Sequence, residues 1–141
     1  MTTLAKDQPR EFLQGDFVDY PVIADDIIYQ GAGVGENGSG YSRPLQAGDR
    51  FQGFADYQVD NAGGAAGAKD VRVRTRGKIR AAITSIAITA NDQPAVYMSD
   101  DNTFTLSSTG NSLIGYVERW VSTGVAIVYF DAALVGAALH A

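Results

Sequence analysis

Five cations at alternate positions, Arg72, Arg74, Arg76, Lys78 and Arg80, are the residues whose type and spacing most suggest chemistry. On an extended strand they share one face and Val71, Val73, Thr75, Gly77 and Ile79 share the other, because successive side chains alternate. On a helix the same five would be spread around the circumference. Like charges ~7 Å apart repel one another unless carboxylates answer them, from the same fold or from a partner. The row therefore predicts recognition of an acidic surface. The competing reading is that a neighbouring strand of this chain covers it, with Glu118 a candidate. Nucleic acid is the wrong partner: 16 acidic against 11 basic residues give a net charge of -5, and no aromatic lies inside the row to stack on bases.

Catalytic groups are sparse. His140 is the single histidine and sits one residue from the end, which argues against a Ser-His-Asp triad or a histidine zinc site. Cysteine is absent, so there are no disulfides and no thiolate ligands, which fits a reducing compartment. Asp100 and Asp101 are adjacent carboxylates without further ligands at calcium spacing, and they read as a hairpin turn. In Gly31–Gly40 (GAGVGENGSG) two glycines match a dinucleotide fingerprint, but Glu36 stands where the third belongs and no amphipathic helix follows. That run is expected to be a flexible surface loop. Carboxylate pairs meet only in the fold, and the sequence singles out none.

These residues must be positioned by strands. Phe51–Val59 alternates, with Phe51, Gly53, Ala55, Tyr57 and Val59 on one face. Asp60–Asp70, rich in Gly and Ala, reads as the loop of a hairpin onto the basic strand. Setting Asp60 opposite Asp70 pairs Val59 with Val71, Tyr57 with Val73 and Phe51 with Ile79, and places Asp56 beside Arg74. This register keeps both apolar rows on one side and neutralises one cation of five. Further strands are expected at Ile83–Thr89, Ala95–Met98 and Thr103–Ser107, and Leu113–Val121 with Val125–Phe130 reads as a hairpin closed at Ser122–Gly124. Val125–Phe130 is apolar on both faces, as in a central strand or a subunit interface. Ala132–His140 is expected to form one or two helical turns.

Strands spaced at roughly 8–12 residues predict an all-β sandwich or barrel, jelly-roll-like in form. Its 141 residues suit one domain with a sizeable core. The division expected is an N-terminal arm, residues 1–20, followed by a single β domain, residues 21–141. Phe12, Phe17 and Tyr20 have no periodicity of their own, so they either plug this core or dock on a neighbouring subunit. No apolar run approaches the ~20 residues that span a bilayer and no signal peptide is visible, so the chain is expected to be soluble, not secreted and free of membrane contact.

From Gly48 to Asp131 the chain resembles the decoration, or cement, proteins of tailed-phage heads. The segments that carry the resemblance are GDRFQGFADYQVDN, the loop GGAAG, the strand VRVRTRGKIR, then PAVYMSDDNTFTLSSTGNSLIGYVERW and VSTGVAIVYFD. The resemblance implies a virion structural protein without catalysis or cofactor. Synthesised in the host cytoplasm, it would sit on the outer capsid surface as a homo-oligomer (dimer or trimer) and hold neighbouring major capsid proteins together. Phe12, Phe17, Tyr20 and the five cations are then the candidate interface. The alternatives are a carbohydrate-binding or adhesin-like module, with Tyr41, Tyr57 and Trp120 as stacking platforms, and a small β-barrel hydrolase.

Overall fold

A computed structural model of the chain describes residues 5–7 and 15–139. In chain order its strands are β1 (Phe17–Pro21), β2 (Ile27–Ile28), β3 (Gly33–Glu36), β4 (Ser42–Pro44), β5 (Arg50–Ala55) and β6 (Val59–Asp60). They continue with β7 (Asp70–Arg74), β8 (Arg76–Ala82), β9 (Ala95–Met98), β10 (Phe104–Thr105), β11 (Ser112–Ser122) and β12 (Val125–Asp131). A five-residue 3-10 turn, Ile88–Asp92, and an eight-residue helix, α1 (Ala132–Leu139), complete the described elements. The fold is all-β, as expected. Two five-stranded sheets, ordered β1-β7-β5-β3-β4 and β10-β9-β11-β12-β8, are accompanied by a small ribbon, β2-β6. Strands up to β7 supply the first sheet and ribbon, and those from β8 onward the second. Consecutive strands therefore do not alternate between sheets, as the interleaved Greek keys of a jelly roll require.

The basic stretch is two strands rather than one. Val71–Arg74 belong to β7 in the first sheet and Arg76–Arg80 to β8 in the second. Thr75 carries the chain across: its N–H donates to the Asp16 carbonyl at 2.8 Å and its carbonyl accepts from Ala132 N at 2.8 Å. The first sheet thus ends beside β1 exactly where the second begins beside the end of β12. β5 does pair antiparallel with β7, but only as Phe54 with Arg74 and Ala55 with Val73. That ladder keeps the expected parity and is slid by two residues. Asp56 consequently hydrogen-bonds to the Arg72 carbonyl (2.8 Å) instead of lying opposite Arg74. Val59 pairs with Ile28, and Phe51 with Gly35.

On its other side, against β3, β5 carries a β-bulge. Between the pairs Val34/Gly53 and Gly35/Phe51, Gln52 is an extra residue. Gly53 has φ +133°, and a Cβ there would lie 2.3 Å from the Arg74 carbonyl oxygen. The bulge turns Phe51 and Phe54 toward the same core, where strict alternation would separate them. Their rings meet edge-on at 5.3 Å, and Phe130 of β12 closes on Phe54 at 4.7 Å. This aromatic contact joins the two sheets. Around it lie Leu45, Val96, Met98, Ile114, Val117 and Val128, with Val135 of α1 at one end. A second, smaller cluster holds Val22, Ile28, Val34, Val59, Val71 and Val73, with Val18 and Tyr20 of β1 packed against it.

Three further expectations change. Gly31–Gly40 is not simply a surface loop, because Gly33–Glu36 is a strand between β4 and β5. Its glycines permit close approach: a Cβ on Gly33 would lie 2.9 Å from Met98 Cε, and one on Gly35 2.6 Å from the Asp49 carboxylate. Ile83–Thr89 is a turn leading into the 3-10 segment rather than a strand. Ile83 and Ile86 fill the core while Ile88 is exposed, so this β-branched run plugs one end of the sandwich. By contrast β9, the β11–β12 hairpin and the terminal helix lie where their patterns place them. Residues 17–20, assigned to the arm, form most of β1 and pair along β7. Hydrogen bonding and the burial of Val18 and Tyr20 make them part of the first sheet. The rest of the arm, apart from Ala5–Asp7, Gly15 and Asp16, lies outside the described residues.

Candidate functional site

All five cations of the basic stretch are exposed, so the alternation read from the sequence survives the passage between sheets. Their surroundings differ. Arg72 meets Asp19 (Nε to Oδ1, 3.2 Å), its partner across the β1–β7 ladder. Arg76 meets Asp16 at 2.7 Å. Lys78 reaches across β12 to Glu118 at 2.7 Å; Glu118 is the extra residue of a bulge in β11. The hydrogen bonds that Arg72, Arg76 and Lys78 donate to these carboxylates raise their pKa. Arg74 lies over the ring of Phe17, 4.6 Å from its centroid, a cation–π contact. Arg80 has no carboxylate partner among the described residues.

Three carboxylates therefore answer the row, not the single one expected from the assumed register. None of them is Asp56. Asp16 and Asp19 fall inside residues 1–20, which the sequence assigns to an arm without a face. Its signal was present: Val18 and Tyr20 alternate with Phe17 and Asp19, the pattern of a strand with one apolar side. Of the aromatic residues assigned to docking, Phe17 stacks on Arg74, Tyr20 packs on the smaller core and Phe12 lies outside the described residues.

Several of the other candidates are engaged locally. Glu36 accepts from the backbone of its own turn, at Gly38 N and Gly40 N. Asp100 accepts from Asn102 N (2.9 Å), which lowers its pKa, whereas burial together with Asp100 and Asp26 raises that of Asp101. Among the described residues no group of three or more histidines or carboxylates is arranged to hold a metal. Tyr129 donates to Asp131 Oδ2 at 3.0 Å, and this bond raises its pKa, the opposite of an activated nucleophile. Trp120 is half-buried with its indole N–H on the Ile86 carbonyl (3.3 Å), while Tyr41 and Tyr57 lie beside β4 and β5 in the other sheet. An apolar groove of about 410 Å³ between Ala95, Leu113, Tyr116 and Leu134 brings no set of titratable groups together.

No family model, curated protein or solved structure matches the chain. The functional reading thus rests on its own residues. No described helix is long and apolar enough to cross a membrane. What the surface offers is a line of five cations over both sheets, two of them without a carboxylate partner among the described residues, on a scaffold where strand ladders hold each position.

Proposed function

We propose that the chain is a virion structural protein, a decoration or cement protein that binds the assembled phage head and ties neighbouring major capsid proteins together. The observation that carries this reading is the exposed cation line of β7 and β8, in which Arg74 and Arg80 have no carboxylate partner among the described residues. The ordered resemblance from Gly48 to Asp131 supports it, as does a two-sheet scaffold that holds the cation line on paired strands. In this role the protein acts by geometry alone. The sheets hold the cations in register, and acidic side chains of the shell complement Arg74 and Arg80. Exposed pairs such as Arg72–Asp19 exchange readily for partner carboxylates, because water has already weakened them. Association on this basis is steered electrostatically and weakens with salt.

The test is sedimentation of the purified chain with assembled heads. Arg74→Glu combined with Arg80→Glu should lower the bound fraction at least about tenfold, as expected when desolvated charge pairs are reversed. Arg72→Gln, which leaves Asp19 in place, should have a smaller effect. A double variant that melts like wild type yet binds heads normally would put the interface elsewhere.

A further inference from the structure

We propose that the tip of the β3–β4 hairpin is a self-modifying site, at which Asn37 deamidates to aspartate and isoaspartate with Glu36 as the base. Three requirements of that reaction converge there. The nitrogen that must attack belongs to Gly38, and its N–H donates to Glu36 Oε2 at 2.6 Å, within reach of a general base. The oxygen on which charge develops, Asn37 Oδ1, accepts from Ser39 N at 2.7 Å and Tyr41 N at 3.2 Å. Paired backbone donors of this kind stabilise an oxyanion. The third requirement is an unshielded nitrogen, met by glycine at position 38 with φ +91° and open space where a Cβ would lie. The hairpin holds the set together, with Glu36 opposite Ser42 and Asn37 N bonded to the Tyr41 carbonyl at 2.9 Å.

The chemistry balances with water as the single co-reactant. Glu36 takes the Gly38 amide proton as the nitrogen forms a bond to Asn37 Cγ, and the carbonyl π pair moves to Oδ1. Collapse of this intermediate breaks the Cγ–Nδ2 bond, and the proton held by Glu36 leaves with ammonia. The resulting five-membered succinimide is opened by water. Attack at Cγ gives aspartate; attack at the backbone carbonyl gives isoaspartate, which adds a methylene to the chain path. Either product places a new carboxylate beside Glu36, so the tip gains charge as the protein ages.

Other asparagines lack the arrangement. Asn61 is 2% exposed and its amide nitrogen donates to the Ile23 and Ala65 carbonyls. Asn91 Oδ1 is held by Trp120 N at 2.7 Å and is followed by Asp92. Asn102 and Asn111 precede Thr103 and Ser112, whose side chains crowd the attacking nitrogen.

The experiment is peptide mapping by mass spectrometry of the purified chain held at neutral pH, alongside a synthetic peptide of residues 33–42. Loss of the Asn37 amide should run at least about tenfold faster in the folded chain than in the peptide, the scale of a positioned base. Glu36→Gln, which preserves size and an acceptor oxygen, should remove that advantage. Glu36→Asp, which withdraws the carboxylate but keeps its charge, should slow the loss as well. Circular dichroism confirms that each variant is folded, and the peptide comparison stands without either. Slower loss in the folded chain than in the peptide, or unchanged rates in both variants, overturns the proposal.

Discussion

Asp101 shows how one side chain can oppose the fold it belongs to. Burial disfavours its charged form, and the charges of Asp100 and Asp26 push the same way, so its pKa is raised. A carboxyl whose folded pKa lies above the unfolded one destabilises the fold wherever it is ionised in both states. Below the ordinary value of 3.8 it is protonated in both states and the penalty is gone. Asp101→Asn should therefore raise the melting temperature at pH 7, and that gain should fade as pH drops through and below the ordinary carboxyl range. Thermal melts of both proteins across this range check it; a gain independent of pH would mean that charge is not the cause. The cations follow the same local logic. Arg72, Arg76 and Lys78 have carboxylates within 3.2 Å, whereas Arg74 has a ring. Row members identical in sequence pattern are thus unequal as binding groups.

The decisive element is β1. It covers one side of β7 with five paired residues and lays Val18 and Tyr20 against the smaller core. It also supplies Asp19 to Arg72. Removing residues 1–21 should cost on the order of 3 kcal/mol or more, because two large side chains no longer bury apolar area. It would also bare the β7 edge to intermolecular pairing. Urea unfolding and light scattering should record a lower midpoint and aggregation. A chain beginning at residue 15 keeps the β1 ladder and the Thr75 contacts to Gly15 and Asp16, and should restore both. Equal stability of the two truncations would show that β1 is dispensable. The sequence assigns residues 17–20 to the arm because four residues of weak alternation beside a proline look like one until a partner strand is known. Ile83–Thr89 failed in the opposite sense: β-branching suits a strand, but Ile83 and Ile86 are more useful to this molecule as a plug.

At the scale of the whole molecule, a shared core centred on Phe51, Phe54 and Phe130 makes two sheets a single unit. Phe130 is fully buried and meets Phe51 and Phe54 edge-on at 6.2 and 4.7 Å. Phe130→Ala should destabilise the chain by about 3–5 kcal/mol, through lost burial and the cavity left behind. Denaturant unfolding should remain one transition, since both sheets share that core; two separated transitions would show that they fold independently. The sequence by itself determined whatever depends on local period: all-β character, the β11–β12 hairpin, the closing helix and the shared face of all five cations. Side-chain alternation is a property of the extended backbone and holds whichever strand lies alongside. Only the tertiary structure decided that the basic stretch divides at Thr75, that Gln52 is bulged, that Gly33–Glu36 lies between two strands, and that Asp16 and Asp19 answer the row. Those outcomes depend on which distant segments bury area together: Asp19 pairs with Arg72 across 53 positions, and Asp16 with Arg76 across 60. A local pattern carries no record of such a partner until the sheets close on Phe51, Phe54 and Phe130.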